Sequence, residues 1–157
     1  TFTDGYAISK YRNVDVDGIA GSDTSGDHTD IDFPMFRLAD AYLMYAEAVV
    51  RGGGGSMGTA VGYINQLRGR AYGNTSGDIA EVDLNLDFIL DERARELYWE
   101  CHRRTDLIRF NQFSDNGVWQ WKGGVQQGST TESFRDLMPL PAVDLGINTN
   151  LEQNTGY

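Results

Sequence analysis

The stretch LDFILDERARELYWECHRRTDLIRF, residues 86–110, constrains the fold more than any other part of this chain. Leu86, Ile89, Leu90, Leu97, Tyr98 and Cys101 recur at helical spacing and fall on one face. Leu107 and Ile108 carry the apolar pattern onward. Asn85 can cap the start by accepting a bond from a first-turn amide. Between the apolar positions the charge is dense: Asp91, Glu92, Arg93, Arg95, Glu96, Glu100, Arg103, Arg104, Asp106 and Arg109. Glu92, Glu96 and Glu100 stand one turn apart, so their mutual repulsion needs water or a positive partner. One long helix is expected, with Cys101 as a small residue on its apolar side.

Charge and length narrow the function. At 157 residues the chain can form one domain with a real core. Asp plus Glu number 23 against 13 for Lys plus Arg, a net charge of -10 that repels phosphate backbones. The arginines are interleaved with acids, and nucleic-acid binding is not expected. No apolar run approaches the ~18–20 residues of a membrane-spanning helix. The opening TFTDGYAISKY lacks the basic start and apolar core of a signal peptide. A lone cysteine forms no intrachain disulfide.

Taken in order, residues 1–32 read as an extended arm and an acidic loop. Tyr6, Ile8 and Tyr11 suggest a short strand within 1–13. The Asp-, Ser- and Gly-rich segment 14–32 has the composition of a loop. Its aspartates invite a calcium reading, but the EF-hand spacing and closing Glu are missing, which favours a solvated loop. Residues 33–110 read as a helical core. A first helix is expected from near Pro34, capped by Asp32, with Met35, Leu38, Ala39, Tyr42, Leu43, Ala46, Val49 and Val50 apolar. Four glycines after Arg51 end it, and Ser56 caps a second helix carrying Met57, Ala60, Val61, Ile64, Leu67 and Ala71. The short link makes these antiparallel neighbours, a hairpin of tetratricopeptide-like size. Ala39, Ala46, Ala60 and Gly62 would let the backbones approach closely. Residues 111–157 read as a loop-rich C-terminal region, with alternation around Trp119 and Trp121 and a turn at Gly123–Gly124. The fold class is mainly α: a helical hairpin plus a long helix, with long irregular loops and little β.

No catalytic or metal motif stands out. His28 and His102 lack zinc spacing, no serine elbow is present, and no cofactor is indicated. The glutamates could host glycoside hydrolysis in principle, but a carboxylate held by a guanidinium is a poor general acid. Set beside Arg37, Asp40 and Glu47 of the first helix and Arg68 of the second, the charges read as a structural ion-pair frame. It comprises those four with Glu92, Arg93, Glu96, Glu100, Arg103, Asp106 and Arg109. Glu92, Arg93, Glu96 and Arg103 are expected to be paired across helices and largely buried. Trp119 and Trp121, two apart on an extended segment, would point to one side. Large aromatics are usually buried, so covering the helices is the first expectation. Stacking on sugar rings is the second, and both are carried as ligand-contact candidates.

Seven pieces in series resemble one family: DFPMFRLADAYLMYAEA (32–48), AVGYINQLRGRA (60–71), ILDERARELYWE (89–100), RRTDLIRF (103–110), WQWKGGV (119–125), LMPLPAVDL (137–145) and NLEQNTGY (150–157). Their order and spacing are similar to the C-terminal part of SusD/RagB-like outer-membrane nutrient-binding lipoproteins. Cys101 stands where the family often has glycine, and Arg104 and Thr105 where many members have aromatics. The resemblance implies tetratricopeptide-like helix pairs and a non-catalytic role. That role is capture of glycans or peptides at the bacterial cell surface for a SusC-like TonB-dependent outer-membrane transporter. It implies that residues 1–157 form a C-terminal fragment, with membrane attachment only through a lipid anchor outside this chain. The alternative is a tetratricopeptide-like scaffold for protein–protein interaction.

Overall fold

The computed structural model describes residue 8 and residues 10–157. The expected strand within 1–13 falls mostly outside the described residues. Five α-helices follow in order: α1 Leu38–Val50, α2 Met57–Tyr72, α3 Leu86–Glu96, α4 Arg103–Arg109 and α5 Ala142–Ile147. The described residues contain no strand, only an isolated antiparallel bridge between Val14 and Ala20. None of the described helices is long and apolar enough to cross a membrane.

The first helix starts later than its composition suggests. Arg37, extended at φ -147, occupies the N-cap of α1 without a side-chain cap bond, and Met35 lies outside the helix, exposed. The Arg37 guanidinium is committed to Glu96 and Glu100 instead, which holds this residue outside the helical turn. In α2 the Ser56 hydroxyl accepts from the Thr59 amide at 3.3 Å, satisfying one of the unpaired first-turn donors. Gly73 ends α2 at φ 71, a left-handed position that glycine adopts without a Cβ penalty.

α1 and α2 run antiparallel, as their contacts run in opposite senses along the two helices. The Tyr45 hydroxyl accepts from the Ser56 amide at 3.2 Å, while Tyr42 reaches Gln66 further along α2. Tyr63 joins the pair, stacked on Tyr42 at 4.3 Å and edge-on to Tyr45. Between them Ala39, Leu43 and Ala46 meet Ala60, Ile64 and Leu67, with Leu84, Ile89 and Leu97 closing the core. Leu43, Ile64 and Ile89 are fully buried, each contributing roughly 1.5–3 kcal/mol relative to exposure. Gly62 takes no part in the close approach: a Cβ there would meet nothing within 4 Å. Asn65 fastens the following connection by bonding both the amide and the carbonyl of Ile79.

The long helix expected over 86–110 is two helices. α3 stops at Glu96, and the turn through Cys101 places Trp99 and Cys101 at positive φ. The apolar periodicity continues across this turn, so spacing alone conceals it. The break has a physical return: it brings Asp106 of α4 back against Arg93 of α3 at 2.9 Å. On a continuous helix thirteen residues would separate them by about 20 Å. Cys101, expected on the buried side, is exposed for the same reason.

The C-terminal region is irregular but fastened. Gln153 bonds both the amide and the carbonyl of Leu140 through its side chain, at 2.8 and 3.0 Å. Asn154 donates to Met138 O and the Tyr157 hydroxyl to Leu137 O. The tail, expected to be mostly loop, contains α5, whose entry at Pro141 uses the fixed φ of proline.

Candidate functional site

The charged residues form a set of three separate ion-pair groups across α1, α2, α3 and α4. Arg93, buried in α3, faces Asp40 of α1 at 2.8 Å and donates to Asp106 of α4 at 2.9 Å. The contact to Asp40 lacks hydrogen-bond alignment, so it is an ion contact by distance only. Arg109 grips Glu47 through two bonds of 2.8 Å and also reaches Asp106. Arg37 binds both Glu96 and Glu100, and Arg68 binds Glu92. Arg51, Arg70, Arg95 and Lys10 add further pairs that the sequence reading did not single out. Their signal was the i, i+3 and i, i+4 spacing of Arg51 and Arg95 to Glu47 and Glu92.

Arg103 does not belong to this set. It is exposed and donates to the Leu90 carbonyl at 3.0 Å, with no carboxylate partner among the described residues. Glu96 is only half-buried as a residue, while Glu92, Arg93 and Glu100 are buried.

Pairing sets the protonation of these groups. Burial pushes the Glu47 carboxyl up, but bonds from Arg109 and Arg51 outweigh it and hold the carboxyl below its ordinary value. Glu100 behaves alike: burial raises it, and Arg37 and Lys10 more than offset the rise. Bonds to Glu47 and Asp106 hold the Arg109 guanidinium above its ordinary value against burial. Carboxylates kept ionised in this way serve structure rather than proton transfer.

The aspartates of the acidic loop cap its own backbone. Asp15 accepts from the amides of Asp17 and Ile19, and Asp30 from Ser22. Asp23 is lowered to about 2, chiefly by the Ser25 hydroxyl and then by the His28 amide. No group of three or more His, Cys, Asp or Glu among the described residues is placed to hold a metal ion.

Trp119 and Trp121 lie open to solvent, 42% and 65% exposed, so they do not cover the helices. Nor is their segment extended. Trp121 has φ 67 and the chain turns through Lys122–Gly124, which removes the strict alternation that would point both indoles one way. Trp119 leans on Phe113 at 6.2 Å between ring centroids. Beside Trp119, and without Trp121, a cleft of about 470 Å³ is lined by Arg103, Arg104, Leu107 and Phe113. Lys122 organises this loop. The residue is 7% exposed, and its ammonium donates to the carbonyls of Phe113, Ser114 and Gly117 and lies 4.6 Å from the Trp119 ring centroid. Gly117 is required there, because a Cβ would collide with the Gln112 carbonyl. A buried ammonium that collects three carbonyls was missed in sequence; its only trace was a lysine set directly before a glycine pair.

The model of the SusD family matches residues 1–157, the whole chain. The chain belongs to the SusD family. It is 43% identical to the starch-binding protein SusD of Bacteroides thetaiotaomicron, over 99% of this chain and 27% of that relative. A SusD-like protein of Formosa agariphila is 39% identical over 96% of this chain and 28% of its own length. The chain therefore spans little more than a quarter of these relatives. Among solved structures, a SusD superfamily protein from Bacteroides vulgatus superposes with a TM-score of 0.65 at 30% identity. That match covers 89% of this chain and 31% of the other. NanU of B. fragilis gives 0.60 at 27% identity, over 94% and 30%. Mainly helical architecture is shared with these SusD-family neighbours. Cys101 stands at a left-handed φ of 63, a position that glycine adopts without a Cβ penalty.

Proposed function

We propose that this chain is the C-terminal part of a non-catalytic, surface-exposed outer-membrane lipoprotein that captures glycans. The captured oligosaccharide passes to a SusC-like TonB-dependent transporter for import. The observation that carries the proposal is 43% identity, along almost the whole chain, to a protein named for binding starch. Within the chain, Trp119 and Trp121 are the ligand-contact candidates, because exposed indole faces complement the C–H faces of sugar rings. Lys122 supports the reading by holding Trp119 in place before any ligand arrives, which lowers the ordering cost of binding.

Titration of the full-length protein with neutral α-glucan oligosaccharides, other oligosaccharides and peptides tests this. Saturable binding of a glycan is expected, weakened by about 1–3 kcal/mol in Trp119→Ala if the indole stacks on the sugar. Binding of peptides in preference to every glycan would favour the tetratricopeptide-like scaffold instead. Glycan binding unchanged by Trp119→Ala and Trp121→Ala would move the contact out of this chain.

A further inference from the structure

Ahead of α1, where residues 11–13, 26–31 and 33 meet, the chain encloses a cleft of about 550 Å³. Tyr11, Asn13, Asp27, His28, Thr29 and Phe33 are among its lining residues. Part of that lining is aromatic: Tyr11 and Phe33 lie 5.6 Å apart between ring centroids, and Phe33 is 51% exposed. The rest is mainly polar. Asp27 and His28 are exposed, and their side chains make no hydrogen bond or ion pair among the described residues.

The backbone that carries these groups is fastened from two sides. The Asp23 carboxylate accepts from the amides of Asp27 and His28 at 3.0 and 2.9 Å. The side-chain oxygen of Asn13 accepts from the Thr29 hydroxyl at 3.2 Å and the Asp30 amide at 3.0 Å. Asn13 thereby commits its oxygen and keeps its side-chain N–H groups without an acceptor among the described residues. A lining held in this way needs little ordering when a ligand arrives.

The chemistry of the lining selects the ligand. No lysine or arginine lines the cleft and one carboxylate does, which disfavours an anion. No group of three or more His, Cys, Asp or Glu among the described residues is placed for a metal ion. A wholly apolar ligand would strip water from Asp27, His28 and Asn13 without replacing their bonds. A sugar ring meets both halves of the lining. Its C–H face suits an aromatic ring, and its hydroxyls can donate to a carboxylate and accept from an amide. The volume falls within the ~300–1,000 Å³ of small-ligand sites.

We propose that this cleft is a second sugar subsite, separate from the one around Trp119. It seats one neutral sugar unit, with the C–H face on Phe33 and hydroxyls on Asp27, His28 and Asn13. The assignment rests on the glycan-binding reading and gives the acidic loop a part in it.

Hydrogen–deuterium exchange of the full-length protein, titrated with maltohexaose, cellohexaose or mannohexaose, locates the contact, with calorimetry measuring total binding. At least one of these sugars should slow exchange in peptides spanning residues 23–33. Asp27→Ala should raise the sugar concentration for half-maximal protection at least about tenfold, because a charge-assisted bond is lost. Phe33→Ala should do the same by removing the stacking surface. Asp17→Ala, on the same loop outside the cleft, should not. Asp27 has no side-chain partner to lose, so its variant tests the site even where Phe33→Ala disturbs the loop. Saturable sugar binding without protection of residues 23–33 overturns the subsite and leaves the glycan reading standing. Protection unchanged by Asp27→Ala, or shifted equally by Asp17→Ala, overturns the subsite as well. Absence of binding to any glycan in calorimetry rejects the reading on which the subsite rests, and the subsite with it.

Discussion

Replacing Arg93 by Met tests the central claim about packing. Arg93 is 4% exposed and stands between Asp40, 8% exposed, and Asp106, 1% exposed. Methionine keeps most of the side-chain length and removes the cation. Asp106 retains Arg109 at 2.9 Å, but Asp40 then faces no cation among the described residues. Leaving a buried charge without its partner costs about 3–5 kcal/mol. For a chain of this size that corresponds to a melting-point drop of roughly 6–20 °C, at ~2–4 °C per kcal/mol. Urea unfolding followed by far-UV circular dichroism measures it, with the slope of ΔG against urea confirming that the same surface unfolds. The triple variant Arg93→Met, Asp40→Asn, Asp106→Asn should recover most of the loss, because the orphaned charges and not the missing bonds dominate it. A single-variant cost below about 1 kcal/mol at unchanged slope would refute the reasoning, since that is the range of exposed pairs.

The other predictions concern separate parts of the molecule. Arg103→Ala, which removes one part-buried bond to a carbonyl, should cost about 1 kcal/mol in the same unfolding assay, against the several expected for Arg93. Glu47 and Glu100 sit below their ordinary value of 4.5 when folded, so the unfolded chain takes up their protons first as pH falls. Their contribution is intact above 4.5 and lost as pH drops through the lowered values; the melting point should fall there, less steeply in Glu47→Gln. Cys101→Gly relieves a left-handed φ of 63 and should stabilise by about 0.5–1 kcal/mol in a thermal melt; a loss would show that packing of the thiol outweighs the strain. Lys122→Met leaves three carbonyls without their ammonium and should destabilise by about 1–3 kcal/mol, with acrylamide quenching of tryptophan fluorescence increased as Trp119 loosens.

Local chemistry was legible in the residues. Asn85 and Ser56 cap α3 and α2 because a short polar side chain before an apolar-periodic run can do little else as favourably. The α1–α2 pair followed from helical periodicity on either side of four glycines, and the family from seven short pieces in order. The break between α3 and α4 was not legible. Periodicity reports which face is apolar, and Leu97, Tyr98 and Cys101 keep the period while the backbone leaves the helix. Exposure of Trp119 and Trp121 was hidden likewise, since composition ranks tryptophan as a core residue and cannot register a loop held outward by a buried lysine.

The sequence by itself determined the helical class, the caps, the acidic balance and an arginine-to-carboxylate ratio that calls for pairing. Only the tertiary structure decided who pairs with whom. Arg93 and Asp106 lie thirteen positions apart and meet because a turn intervenes, while Arg103, within the same charged run, is turned outward. Spacing along a helix sets directions within that helix, whereas partnership between helices depends on where each one stops. That stopping point is set by contacts, among them Arg37 on the Glu96 carbonyl and Lys10 on the Tyr98 carbonyl, that exist only once the chain has folded.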